Sequence, residues 1–181
     1  VRIALTTNPL ALLVGMIYLI SLVRASLDVE RVRDYLADRE TVLRLLNEAL
    51  ATEMICVLRY RRHHFMAKGI NADPIAEEFM VHATEEQQHA DKIAARIVQL
   101  GGEPDLSPDT LTQRSHAAYN DSLDLRAMIR SNLIAERVAI EAYSQMVDLI
   151  GDKDPTTRRL IESILEQEQE HADELSDWLE K

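Results

Sequence analysis

Glu86-Gln87-Gln88-His89-Ala90-Asp91 and Glu168-Gln169-Glu170-His171-Ala172-Asp173 write nearly the same six residues twice, each with a carboxylate three positions before an imidazole. On an α-helix that separation stacks the two side chains on one face, so each pair can converge on a point beside its helix. Two such pairs point to a binuclear metal site. The repetition has a second level: Glu53 lies 33 residues before Glu86, Glu136 lies 32 before Glu168, and Tyr60 and Tyr143 each follow their own glutamate by seven. The chain reads as two helix pairs of one design.

Steps of three and four outward from each glutamate test whether it faces inward. Glu53 shares its face with Leu46, Leu50, Cys56, Val57 and Tyr60, and Glu136 with Ile129, Leu133, Ala139, Ile140 and Tyr143. Glu86 falls in line with Phe79, Ala83, Ala90, Ile93 and Ile97, and Glu168 with Ile161, Ile164, Leu165, Ala172, Leu175 and Trp178. Four carboxylates in an apolar core cost several kcal/mol each unless neutralised. Two divalent cations carry the matching charge, and an oxygen-rich set without thiolates suits iron or manganese better than structural zinc.

The expected arrangement gives Glu53, Glu86 and His89 to one iron and Glu136, Glu168 and His171 to the other, with Glu86 and Glu168 bridging. Tyr60 and Tyr143 are candidates to hydrogen-bond these carboxylates, core packing being the alternative. His82, one turn before Glu86, reads as a partly exposed structural histidine, with a part in metal passage as the alternative. His63, His64 and His116 fall outside the repeat and are expected at the surface. Cys56, the only cysteine, reads as a small buried hydrophobe and rules out an intrachain disulfide or a cysteine-built metal site.

The elements that must position these groups are marked by breaks. A first helix is expected from Thr41 to about Lys68, ended by Gly69-Ile70-Asn71-Ala72-Asp73. Asp73-Pro74 opens a second, which Gly101-Gly102 stops after Leu100. A polar connection from Glu103 to about Ser122 carries a short helical turn at most. A third helix runs to Ile150, and Gly151-Asp152-Lys153-Asp154-Pro155 opens a fourth that continues almost to Lys181. Short loops make antiparallel neighbours, whereas about twenty residues between helices two and three can run the length of a bundle. The expected fold is all-α, an antiparallel four-helix bundle over 39–181 with one long crossover between helices 2 and 3.

Residues 1–38 differ from the rest. Ile3 to Val23 carries no charge, and Leu10 to Val23 is apolar but for Gly15 and Ser21. This extension is expected to be an added helix, a membrane anchor or a targeting segment. The remaining composition, 46% hydrophobic with five Gly, five Pro and 4% aromatics among 181 residues, favours a helical globule. A net charge of −11 argues against general affinity for nucleic acid. Nothing in the cysteine content calls for an oxidising compartment, and a cytoplasmic location is expected.

Leu46-Asn47-Glu48-Ala49-Leu50-Ala51-Thr52-Glu53 with Tyr60, Glu86-Gln87-Gln88-His89-Ala90-Asp91, Arg130-Ser131-Asn132-Leu133-Ile134-Ala135-Glu136 and Glu168-Gln169-Glu170-His171 resemble, in order, the four ligand segments of the bacterioferritin branch of the ferritin-like superfamily. The resemblance covers about residues 39 to 179. It implies oxidation of two Fe2+ by O2 or H2O2 at the paired site, for iron storage or detoxification, in a homo-oligomer. Gln87 stands where that family carries its haem-binding Met, so haem is not expected. The family's short fifth helix has no counterpart in this sequence, which favours a smaller shell or a dimer over the large cage. The same ligands would serve a rubrerythrin-like or dimanganese peroxidase or catalase, or a non-enzymatic assembly stabilised by metal. Ala139, three residues after Glu136, stands where rubrerythrins would place a further Glu.

Overall fold

The computed structural model describes residues 37–70 and 72–180. They form four long helices, α1 (Arg39–Met66), α2 (Ala72–Gln99), α4 (Leu125–Ile150) and α5 (Pro155–Glu180), with a four-residue helix, α3 (Leu111–Arg114), in the crossover. The expected all-α bundle is present. The expectations for residues 1–38 fall almost wholly outside the described residues. Among the described residues no helix is long and apolar enough to cross a membrane.

Local chemistry sets the ends. Pro74 sits within the first turn of α2, where its missing N–H has no intrahelical partner to lose. The helix starts at Ala72, one residue ahead of the expected Asp73 cap. At its far end Gly101 takes φ +72°, Gly102 N donates to Ile97 O at 2.9 Å and Gly101 N to Val98 O at 2.8 Å. This double closure needs a left-handed residue, which glycine supplies without strain. A Cβ on Gly102 would stand 2.6 Å from the Leu43 side chain, so the turn is also pressed against α1. Asp124 caps α4 by accepting from Ala127 N at 2.7 Å, and Asp154 caps α5 by accepting from Thr157 N at 3.0 Å. Arg96 ties the end of α2 to that cap, donating from Nη2 to both Asp154 oxygens at 3.1 Å and from Nε to Thr157 Oγ1 at 2.8 Å.

Short loops pair α1 with α2 and α4 with α5, while the two hairpins approach less closely, with α1 facing α4 and α2 facing α5. The crossover climbs along α1. Asp105 N and Arg114 Nη1 bond to Asn47 at 2.7 and 2.9 Å, His116 N to Thr52 Oγ1 at 3.0 Å, Arg59 Nη1 to Ala118 O at 3.0 Å and Arg62 Nη2 to Asp121 O at 3.1 Å. Each step moves further along α1, so α4 begins beside the end of α1 and runs parallel to α2.

Apolar layers close the interior above and below its middle. Leu46, Leu50, Ile93, Ile97, Ile150, Ile161 and Ile164 are fully buried on one side. Phe79, Ala83, Met128, Ile129, Leu133 and Leu175 pack with Tyr60 on the other. Between them lie the six residues of the repeat.

Candidate metal centre

Each long helix delivers its part of the site from the apolar face anticipated for it: Glu53 from α1, Glu86 and His89 from α2, Glu136 from α4, Glu168 and His171 from α5. None is more than 3% exposed. Their donor atoms fall into two overlapping groups, Glu53, Glu86, His89 and Glu168 in one and Glu86, Glu136, Glu168 and His171 in the other, with all atoms of a group within 4.8 Å of one another. Glu86 and Glu168 belong to both.

The shared carboxylates each turn one oxygen to either side. His89 Nδ1 lies 3.6 Å from Glu86 Oε2, 3.2 Å from Glu168 Oε1 and 3.4 Å from Glu53 Oε2. His171 Nδ1 lies 3.6 Å from Glu86 Oε1 and 3.6 Å from Glu168 Oε2. Donors about 2.1 Å from an ion stand about 3.0 to 3.4 Å apart in octahedral or tetrahedral geometry; the 3.2 and 3.4 Å separations fall in that range and the three of 3.6 Å lie just above it. Glu53 Oε2, Glu86 Oε1, His89 Nδ1, Glu136 Oε2, both Glu168 oxygens and His171 Nδ1 are buried without a hydrogen-bond partner. Native interiors seldom leave such atoms unsatisfied, and a pair of ions answers all seven. The buried Glu and His groups can hold two metal ions.

Supporting contacts cross between the helix pairs. The Tyr60 hydroxyl of α1 donates to Glu136 of α4, and the Tyr143 hydroxyl of α4 donates to Glu53 of α1. Burial, then the Glu136 charge, pushes the Tyr60 hydroxyl well above its ordinary pKa, so it stays a donor. His89 Nε2 donates to Gln167 Oε1 at 3.0 Å and His171 Nε2 to Glu85 Oε2 at 2.9 Å, which aims both Nδ1 atoms into the centre. Sequence reasoning passed over Glu85 and Gln167. The signal was there, since each immediately precedes the glutamate of its Glu-x-x-His copy.

Two expectations are corrected. His63 is wholly buried, not at the surface; its Nδ1 accepts from Asn132 Nδ2 at 3.1 Å, while Asn132 Oδ1 accepts from buried Arg59 Nε at 2.7 Å. Burial and then the Arg59 charge pull His63 down to about 4. His82 is also fully buried, not partly exposed, and burial followed by His171 pulls it to about 4. His64 is half-buried on the Ala76 carbonyl and His116 is exposed. Cys56 lies buried as expected, beside Arg59 Nη2 at 3.5 Å.

The electrostatics of the six groups are those of a crowded anion cluster. Burial, then repulsion from Glu86 and Glu168, raises Glu53 and Glu136 well above the carboxylate range. Burial opposes charge on the imidazoles, but the surrounding glutamates, Glu168 foremost, outweigh it; His89 is pushed well above the ordinary histidine range, and His171 is pushed up to about 12. Glu86 and Glu168 are held low against burial, Glu86 by contacts with Glu53, His171 and His89, and Glu168, against Glu86 repulsion too, by His171 and His89. These directions favour protons on His89, His171, Glu53 and Glu136 and charge on Glu86 and Glu168.

A ferritin-like domain model matches residues 43–181. A bacterioferritin of Desulfovibrio desulfuricans is 30% identical over 131 residues, covering 72% of this chain and 69% of that protein. A nutrient stress-induced DNA-binding protein of a Nostoc species is 31% identical over 145 residues, 75% of this chain and 76% of its own. Among solved structures, a dodecameric thioferritin, the bacterioferritin-related protein of Bacteroides fragilis, superposes with a TM-score of 0.78 at 29% identity, covering 86% of this chain and 92% of that one.

Two outcomes follow from this geometry. Gln167→Ala and Glu85→Ala, which release the rings of His89 and His171, lower divalent-metal affinity by about 10- to 100-fold in calorimetric titration, while Gln88→Ala at an exposed position does not; equal affinities in all three would refute the orienting role. Cations must also displace the protons held on His89, His171, Glu53 and Glu136. Metal uptake therefore releases acid, and affinity falls as pH falls, by about tenfold per pH unit for each proton displaced. Anaerobic Co2+ titrations between about pH 6 and pH 8 with a pH indicator read this directly, and an affinity flat across that range would contradict it.

Proposed function

This chain belongs to the ferritin-like family, and from that membership together with its six converging donors we propose that it is a ferroxidase, oxidising Fe2+ to Fe3+ with O2 or H2O2 for iron storage or detoxification. The carrying observation is that Glu86 and Glu168 each turn one oxygen to either imidazole, forming two half-sites that share both carboxylates. In this proposal Glu53, Glu86 and His89 hold one iron, Glu136, Glu168 and His171 hold the other, and Glu86 and Glu168 bridge.

Two Fe2+ lose one electron each; O2 takes both electrons with two protons and leaves as H2O2, or H2O2 takes them with two protons and leaves as two waters. Six protein donors for two ions leave coordination positions open for the oxidant. Glu53 and Glu136 are each steadied by one tyrosine while their second oxygens remain free of protein donors, so each can follow its ion as the charge changes. The imidazoles are fixed at Nε2 and supply rigid ends to the pair. The same donors suit manganese, and peroxide-driven release of O2 from a Mn2+-loaded sample would mark a catalase instead.

Assembly into a homo-oligomer is part of this proposal. Ile134 and Val138 are exposed on α4, where with Ala142 they line one surface hollow, and Leu58 and Leu149 are also exposed. The B. fragilis protein is a dodecamer. The net charge of −11 gives no ground for carrying over DNA binding from the Nostoc relative.

Anaerobic loading with Fe2+ followed by a pulse of O2 tests the activity. Two irons per chain are oxidised rapidly, and Glu53→Ala or His171→Ala slows the step at least about 100-fold, since each removes a donor whose loss leaves buried charge unpaired. Tight Fe2+ binding with no oxidation would reduce the site to a structural one. Sedimentation velocity checks the assembly; a single boundary at the 20.6 kDa monomer mass would overturn it.

A further inference from the structure

A third set of donors meets beside the paired centre. One ligand atom from each of Glu78, His82 and Glu174 lies within 4.8 Å of the others. His82 Nε2 stands 2.8 Å from Glu174 Oε2 and 3.6 Å from Glu78 Oε1. The His82 side chain is wholly buried, whereas those of Glu174 and Glu78 are 52% and 28% exposed, so the carboxylates open the group to water on one side. On the other side the His82 ring stacks on that of His171 with centroids 4.1 Å apart.

The direction of the hydrogen bonds identifies what belongs there. His82 Nδ1 is 3.2 Å from the Tyr60 hydroxyl, and that hydroxyl also meets Glu136. Tyrosine has one proton to give. When Glu136 is a carboxylate ligand it can only accept, so the Tyr60 proton goes to Glu136 and the Tyr60 oxygen accepts from His82 Nδ1–H. A neutral imidazole has no second N–H, which leaves Nε2 as a bare lone pair facing two carboxylates that likewise offer only lone pairs. At 2.8 and 3.6 Å these three atoms need either a proton on Nε2, which pairs His82 with Glu174, or a cation among them, and the cluster has the donor types and spacing for the cation. One imidazole and two carboxylates, with water completing the shell, make a set for a divalent transition metal, and the two negative charges match it.

We infer that Glu78, His82 and Glu174 hold a single divalent cation on the flank of the paired centre. The repeat supports this by contrast. The positions matching His82, Glu78 and Glu174 in the other half of the duplication are Ile164, Leu160 and Lys92, none of which offers a carboxylate or an imidazole. The donor set is thus an addition to one half, not a by-product of the shared design. It goes beyond the two ions proposed above and rests on them only through the role of Glu136.

The test is anaerobic titration of the full chain with Co2+, followed by its visible absorption and by metal analysis after gel filtration. The unaltered chain binds three Co2+, and Glu78→Ala/Glu174→Ala, which removes only solvent-facing carboxylates, binds two. His82→Ala also loses one. Equal counts in the unaltered chain and the double variant overturn the third site. Glu53→Ala and His171→Ala report separately on the paired centre: if they bind as many ions as the unaltered chain, it is the two-ion proposal that fails, and a one-ion difference on removing Glu78 and Glu174 still stands for the flanking site.

Discussion

Four carboxylates within a few ångströms of one another, in an interior otherwise built of Leu, Ile, Ala and Phe, are the constraint to which the rest of the structure answers. Their mutual repulsion and desolvation together would exceed the stability of an ordinary domain if all four were ionised without countercharge. Neutrality can be reached with protons or with two divalent cations, so the cluster could exchange one for the other. Apolar layers on both sides keep water from screening the cluster, so the demand for countercharge is undiluted. The greasy surroundings thus sharpen the cluster's need for countercharge.

Geometry must hold for this exchange to be reversible. The backbone is fixed by capped helix ends, by Arg96 spanning α2 and the start of α5, and by a crossover fastened along α1 from Asn47 to Arg62. Within that frame the histidines are locked through Nε2, while the glutamates keep oxygens free. Tyr60 and Tyr143 cross-link the two helix pairs at the level of the six donors, Tyr60 holding Glu136 and Tyr143 holding Glu53 of the opposite pair. A shift of one pair relative to the other would move both half-sites together, because each group contains Glu86 from one pair and Glu168 from the other.

The fold and the convergence of the six side chains were legible because their signals are local. A spacing of three on a helix, a repeat of that spacing, and Gly or Pro at the breaks need no knowledge of distant contacts. His63 and His82 were misjudged for the converse reason. Both stand in register with inward residues, His82 four before Glu86 and His63 three after Tyr60, and what satisfies their rings in the interior is a partner from elsewhere that the sequence does not place: Asn132 and Arg59 for His63, Tyr60 and Glu174 for His82. The start of α2 fell one residue early because Pro74 is as well suited to the first turn as to its opening position. Glu85 and Gln167 were readable in principle, since in each copy they hold the same place.

The duplication is imperfect, and the departures nearest the six donors make its two halves unlike. Around the half-site that contains His171, the ring is oriented by an anion, Glu85, and flanked by His82 with Glu78 and Glu174 beyond. Around the half-site that contains His89, the ring is oriented by neutral Gln167, and the equivalent flanking residues are Ile164, Leu160 and Lys92. The first flank attracts cations and carries donors outward from the core to half-exposed Glu174; the second is apolar and ends in an exposed positive charge. With the interior donors nearly symmetric, the charges flanking them are not: carboxylates lie beside His171, and a lysine ends the His89 flank. Two half-sites of one design are thereby made inequivalent by residues outside the six donors.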